Sequence, residues 1–450
     1  MNQDLTRGPI TRGLLRFAWP FMVGNLLQQL YNVVDTLIVG RYLGSDALGA
    51  VGSSYTLMTF LTSILLGLSM GSGVFFSICC GQRQMERLRR GMVLSFGLIA
   101  AVTAVLNAAA FLLLQPILTL LQVPASLRDL MGTYLFVIFF GIAATFLYNY
   151  FACLLRALGN SLAPLIFLAV SALLNIGLDL LFVLALPWGV AGAAAATVIA
   201  QYVAGLGLAV YAFARCPAIR LRREDFAYDR RDMREILRRS SLTSVQQSVM
   251  NFGILMVQGR VNSFGPAVMA AFAAAVKIDS FAYMPVQDFG NAFSTFVAQN
   301  FGAGQEERIR AGIRSAVATA AIFGAALSLA VFLLARPLML LFVRPEETEI
   351  LAVGVAYLRI EGSFYCLIGF LFLLYGYYRA MGRPGMSVVL TVISLGTRVA
   401  LAYALSAIPV IGVTGIWVSV PIGWLLADLV GFGGDRRLLG RTPRQDTPAP

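Results

Sequence analysis

The sequence predicts an all-α integral membrane protein of twelve transmembrane helices, in two pseudo-symmetric six-helix bundles around a central cleft. Three observations carry that reading. Hydrophobic residues fill 58% of the 450 positions and charged residues only 12%, with a mean hydropathy of +0.78, a balance foreign to soluble globular chains. Apolar windows of about 20 residues, each long enough to cross a hydrocarbon core roughly 30 Å thick, recur twelve times. The second half of the chain also repeats the first.

The windows run over 14–39, 47–79, 91–114, 129–155, 162–186 and 189–213, then 237–262, 267–300, 312–335, 350–378, 386–408 and 411–433. The first is the least uniform. In LLRFAWPFMVGNLLQQLYNVVDTLIVG, Asn25, Gln28, Gln29, Asn32, Asp35 and Thr36 recur at steps of three and four. On a helix they form one polar stripe ending in a carboxylate. A charge in a spanning helix is costly toward lipid, so the stripe is expected to face protein or a wet cavity. The fifth window adds Asn175 and Asp179 four residues apart on one helical face, and the sixth adds Thr197.

The net charge of +12, from 34 basic and 22 acidic residues, is distributed as a topology signal. Only five arginines, Arg41, Arg128, Arg260, Arg336 and Arg344, fall in connections on the side opposite the N-terminus. This bias places both termini in the cytoplasm and removes the case for nucleic acid as a partner. Met1 to Arg12 is too polar for the apolar core of a signal peptide, so the first window stays as a span. Cys79, Cys80, Cys153, Cys216 and Cys366 show no C-x-x-C spacing and the chain has no histidine, which argues against a zinc site.

Sliding the chain against itself by 221 residues aligns GQRQMERLRRG from Gly81 with GAGQEERIRAG from Gly302, and Gly44, Ala50, Phe60 and Pro116 with Gly265, Ala271, Phe281 and Pro337. A shift of 223 then aligns LLRALGNS with YYRAMGRP, and Gly189, Val190 and Gly192 with Gly412, Val413 and Gly415. Three blocks in the same order indicate a duplication. Six spans per copy is an even number, so both copies enter the membrane from one side and their symmetry axis lies along the membrane normal. The expected domains are an N-lobe, 1–213, a cytoplasmic linker, 214–235, a C-lobe, 236–433, and a disordered tail, 434–450. Such a bilobed bundle suits alternating access, in which lobes rock about a site near the bilayer midplane.

GPITRGLLRFAWP, QQLYNVVDTLIVGRYLG, the Gly81 loop, the RALGNS and RAMGRP turns and FVAQNFGAG resemble the multidrug and toxic-compound extrusion (MATE) family over essentially the whole chain. The resemblance implies secondary antiport of organic, cationic or amphipathic compounds against H⁺ or Na⁺, no cofactor beyond that ion and no enzymatic activity. It also implies a small-molecule substrate, a monomer, and residence in a bacterial plasma (inner) membrane. Asp35, Asn175, Asp179 and Thr197 match the cation-coupling cluster of the DinF-like branch, with Na⁺ or a proton at Asp35 and Asp179, and Pro20 matches the proline where the first helix of that branch bends. The seventh window lacks the acid of the NorM-like branch. At about 1.5 Å per residue, Asp35 lies about 9 Å below Arg41, and Asp179 and Thr197 each about 12 Å below the ends of their spans, so the oxygen donors share one depth.

Across the repeat, Asp35, Asn175, Asp179 and Thr197 fall on Met256, Arg398, Ala402 and Val420. The second copy has lost the cluster and gained a guanidinium, for which Glu361 at similar depth is the expected partner. Lys277 and Asp279 are two residues apart and cannot share a helix face. With Gln28, Tyr31, Asn32, Tyr283, Met284 and Asp288 they are candidate cleft residues. Two other functions fit less well. A lipid-linked oligosaccharide flippase of the same superfamily calls for a more cationic cleft. An intramembrane aspartyl protease calls for GxGD, where this chain reads NIGLD around Asp179.

Overall fold

The computed structural model describes residues 3–120, 123, 125–435 and 438; most of the expected tail, 436–437 and 439–450, lies outside the described residues. Each of the twelve windows becomes one span. The first copy holds α1 (Ile10–Tyr42), α2 (Ser45–Gly81), α3 (Met85–Leu112), a short α4 (Leu114–Leu120), α5 (Ala125–Ile138), α6 (Gly141–Ala157), α7 (Leu162–Asp179) and α8 (Gly189–Arg215). The second holds α9 (Arg230–Asn262), α10 (Pro266–Gly302), α11 (Glu306–Met339), α12 (Thr348–Gly362), α13 (Tyr365–Ala380), α14 (Pro384–Ser406) and α15 (Thr414–Gly433). Among the described residues eight helices are by themselves long and apolar enough to cross a membrane, and the bent pairs α5–α6 and α12–α13 make two more spans. The remaining two, α1 and α9, are 33 residues each and carry amides along their length.

Residues 129–155 and 350–378 read as continuous spans, but the structure bends them by 44° and 52°. A break in a bilayer strands backbone N–H and C=O groups, which need side-chain partners where water is absent. At the first bend Asn107 Nδ2 donates to the Phe139 carbonyl at 3.0 Å and the Tyr202 hydroxyl to the Phe140 carbonyl at 3.0 Å. At the second, the Tyr365 amide donates to Ser328 Oγ at 3.3 Å.

The duplication survives in local geometry. Gly44 and Gly265, at φ 90° and 98°, open α2 and α10, which are 37 residues each. A Cβ on Gly91 would sit 2.2 Å from the Phe75 ring, and one on Gly312 would sit 2.2 Å from the Phe296 ring. Arg87 lies over Phe75 at 5.0 Å and Arg308 over Phe296 at 5.8 Å.

Contacts divide the chain into two compact units, Met1–Asp4 with Trp19–Ser248, and Leu5–Ala18 with Val249–Pro450. Both leading helices are therefore cut, α1 just before Pro20 and α9 after Ser248. In the first unit, α2 crosses the opening of α9 at small residues four apart, Gly67 and Gly71 against Ser244 and Ser240. Ser72 Oγ meets Ser240 Oγ at 3.0 Å, and Ser244 Oγ donates to the Ile64 carbonyl at 3.0 Å. The linker docks on α3 through acids. Arg87 holds Asp232 and Glu235, each at 2.8 Å, Arg89 holds Asp225 at 2.9 Å and Arg90 holds Asp229 at 3.3 Å. Asp229 also caps α9, and the backbone N–H groups of Asp232 and Arg231, then Arg90, hold its carboxyl below the usual carboxylate range.

In the second unit Arg308, the repeat partner of Arg87, grips backbone instead. Its three nitrogens donate to the carbonyls of Leu5, Arg7 and Gly8 at 3.2, 2.8 and 2.9 Å, and Asn300 Nδ2 donates to the Leu5 carbonyl at 3.2 Å. Hydrogen bonds from a charged donor contribute about 1.5–3 kcal/mol each. Arg308→Ala is therefore expected to raise amide exchange across residues 5–12 at least roughly tenfold, while Arg308→Lys, which lacks the planar fork, restores only part of the protection.

Candidate functional site

Three helices of the first unit converge on one polar point. The stripe on α1 supplies Asp35, α7 supplies Asn175 and Asp179 on one face, and α8, packed against α7, supplies Thr197. The Asp35 and Asp179 carboxyls lie within hydrogen-bonding reach of each other. Asp179 is fully buried and Asn175 is 2% exposed, while Asp35 and Thr197 are half-buried. A hydrogen bond between two carboxyl groups exists only while one of them holds a proton; with both ionised, a small cation must take the proton's place. Oδ1 of each acid meets no protein donor.

The Asn175 amide joins the pair to Thr197. With its nitrogen toward Asp179 it donates to Oδ2 at 3.2 Å, and its oxygen accepts from the Thr197 hydroxyl at 3.3 Å. This arrangement suits an ionised carboxylate, which can only accept. Directly after Asp179 the helix widens into a π turn, Leu180–Ala185, a local strain that often marks functional positions.

Of the other first-copy candidates, Tyr31 lies within electrostatic range of both acids, as does Tyr134 from α5. Asn32 Nδ2 donates to Gln29 Oε1 at 3.3 Å, and Gln28 is exposed. Helix α1 runs unbroken through Pro20, and Arg156 stacks on the neighbouring Phe21 ring at 4.0 Å.

In the second unit the charges expected to pair do not touch. Arg398 acts on Glu361 and Asp279 through space, with no ion pair to either among the described residues. Tyrosines take the place of the guanidinium. The Tyr365 hydroxyl donates to Asp279 Oδ1 at 2.7 Å, and the Tyr357 hydroxyl lies against Glu361. Phe272, Tyr357 and Trp417 form a tight aromatic group beneath them, with ring centroids 5.0–5.5 Å apart. Lys277 is exposed while Asp279 is buried, as positions two apart on a helix require. Tyr283 stacks on Phe372 at 6.4 Å, Met284 is half-buried and Asp288 is buried.

Sequence reasoning missed Tyr134, Tyr357, Tyr365 and Asp428. Tyr357 was readable, standing four residues before Glu361 and so on the same helix face. Asp428, 4% exposed on α15 with neither oxygen meeting a donor, had no companion motif.

The MatE family model matches residues 20–181 and 240–404. The probable multidrug resistance protein YpnP of Bacillus subtilis is 30% identical over 435 residues, 95% of both chains. The FAD transporter of Shewanella oneidensis is 25% identical over 446 residues, 96% of this chain and 95% of that one. The multidrug export protein MepA of Staphylococcus aureus is 22% identical over 439 residues, 95% of this chain and 93% of MepA. Among solved structures, a MOP-superfamily transporter from Pyrococcus furiosus, described as having a binding pocket of reversed polarity, superposes with a TM-score of 0.92 at 24% identity, over 98% of this chain and all of that one. An outward-facing multidrug resistance MATE transporter gives 0.89 at 24% identity over the same shares. At that identity the likeness speaks for the fold.

Proposed function

We propose that this chain, which belongs to the multidrug and toxic-compound extrusion (MATE) family of membrane transporters, exports organic cationic or amphipathic compounds in exchange for H⁺ or Na⁺, using the Asp35–Asp179 pair as its coupling site. The single observation that carries this reading is two carboxyls, from different spans, within hydrogen-bonding reach inside the first unit. A small cation is the ligand that such a pair selects. Its arrival neutralises the carboxyls and alters the hold of α7 and α8 on α1. Flexing at Pro20, where no N–H ties the helix to the preceding turn, then lets α1 move and substrate leave. Return to the opposite access state releases the ion. The ion drives this cycle only to the extent that it binds the two states with different affinity.

In this reading the chain is a member of the DinF-like branch and works as a monomer with both termini in the cytoplasm. The test is transport in proteoliposomes under an imposed pH or sodium gradient, with a panel of organic cations, amphipathic dyes and, because one relative is named for it, flavin adenine dinucleotide. Movement of at least one compound against its own gradient, stopped by collapsing the ion gradient, is expected. Fluxes indifferent to both gradients refute the antiport reading.

A further inference from the structure

The linker between the copies is basic on its outer side and acidic on its inner side. Residues 214–235 hold seven arginines, Arg215, Arg220, Arg222, Arg223, Arg230, Arg231 and Arg234, and five acids. Four of the acids, Asp225, Asp229, Asp232 and Glu235, are spent on Arg87, Arg89 and Arg90 of α3. Cys216, Ile219 and Ile236 are buried with them. All seven linker arginines are exposed, and none forms an ion pair among the described residues. Between them stand large apolar side chains turned outward, Phe226 at 63% and Tyr228 at 68% exposure, with Leu221 beside them.

An outer face of unpaired guanidinium groups and aromatic rings is the chemistry of a membrane–water interface, where rings settle at headgroup depth and arginines meet phosphate. Its position agrees. The linker follows the end of α8 and packs on the opening of α3, two helices long and apolar enough to cross the bilayer, so it lies at the membrane surface. We propose that the linker is a docking site for anionic phospholipid headgroups of the surrounding bilayer, with Arg220, Arg222 and Arg223 meeting phosphate and Phe226 and Tyr228 inserted beside it. The α3 arginines serve this site indirectly, because by neutralising the inner acids they leave seven exposed arginines against one exposed acid, Glu224.

The test uses the full-length protein in phosphatidylcholine vesicles containing either photoactivatable phosphatidylglycerol or, separately, photoactivatable phosphatidylcholine at equal mole fraction, with labelled peptides mapped by mass spectrometry. An arginine near an anionic surface favours it roughly fivefold. Phosphatidylglycerol is therefore expected to label residues 219–231 at least about tenfold more than phosphatidylcholine, with the excess shrinking as salt is raised. The variant R220Q/R222Q/R223Q should bring the two lipids level, and F226S/Y228S should lower labelling by both. These side chains are exposed, so the thermal transition is expected to stay put. Equal labelling by both lipids in the unmodified protein, or an excess that survives the triple substitution, overturns the proposal. So does a segment that both lipids leave unlabelled but that added RNA or acidic protein shields.

Discussion

Asp35→Asn is expected to leave a folded, inserted protein whose ion-driven efflux falls to background. Asp35 Oδ1 has no hydrogen-bond donor to lose, and an amide fills the same volume. What changes is the exchangeable charge. The introduced amide presents a permanent N–H to Asp179, imitating the state in which Asp35 is protonated, and cannot release it. The cycle then stalls in the form that ion binding normally selects, since a site that no longer distinguishes two states cannot bias them. Substrate binding, followed by a fluorescent ligand without any gradient, should persist within a few-fold. Asp179→Asn is expected to behave alike, because the pair works as one unit, and Asn175→Leu should slow efflux without abolishing it. Undiminished gradient-driven efflux by Asp35→Asn removes the coupling role assigned to the pair.

Gly71→Leu is expected to abolish recovery of folded protein. A Cβ at this position would lie 2.4 Å from Ser240 Cα and 2.7 Å from the Arg239 carbonyl oxygen, and one at Gly67 would lie 2.3 Å from Ser244 Cα. These obstacles are backbone and cannot rotate away. In a bilayer, helices associate by close backbone approach at small residues rather than by hydrophobic burial, so parting α2 from α9 loses both the packing and the hydrogen bonds at Ser72 and Ser244. Overpacking by one side chain costs about 1–3 kcal/mol where neighbours can relax, and here they cannot. Loss of the monodisperse peak in size-exclusion chromatography is the readout. Gly97→Ala, where nothing lies within 4 Å of the added atom, is the matched control and should be neutral or slightly stabilising.

Much of the fold was legible before any coordinates. The windows at 14–39 and 47–79 lie within α1 and α2, that at 162–186 overruns α7 and its π turn by one residue, and the repeat anticipated Gly44 and Gly265 as matched openings of α2 and α10. The interruptions at Phe139–Phe140 and Ser363–Phe364 were not legible, because no proline marks them. At the first, the donors that make the break tolerable come from Asn107 and Tyr202, far away in sequence. Arg398 and Glu361 looked like partners from depth alone, yet depth does not specify the rotation of each helix about its axis, and tyrosine hydroxyls reached the acids first.

The sequence by itself determined how many times the chain crosses the membrane, that it does so as a duplicated set of six, and that the first copy carries acids at one depth. Those properties follow from local partition of apolar residues and backbone between water and lipid, which each segment decides largely alone. Only the tertiary structure decided which buried charges meet. Asp35 lies against Asp179, and Asp279 receives Tyr365, because only the packing of helices from distant parts of the chain sets which face each one turns inward.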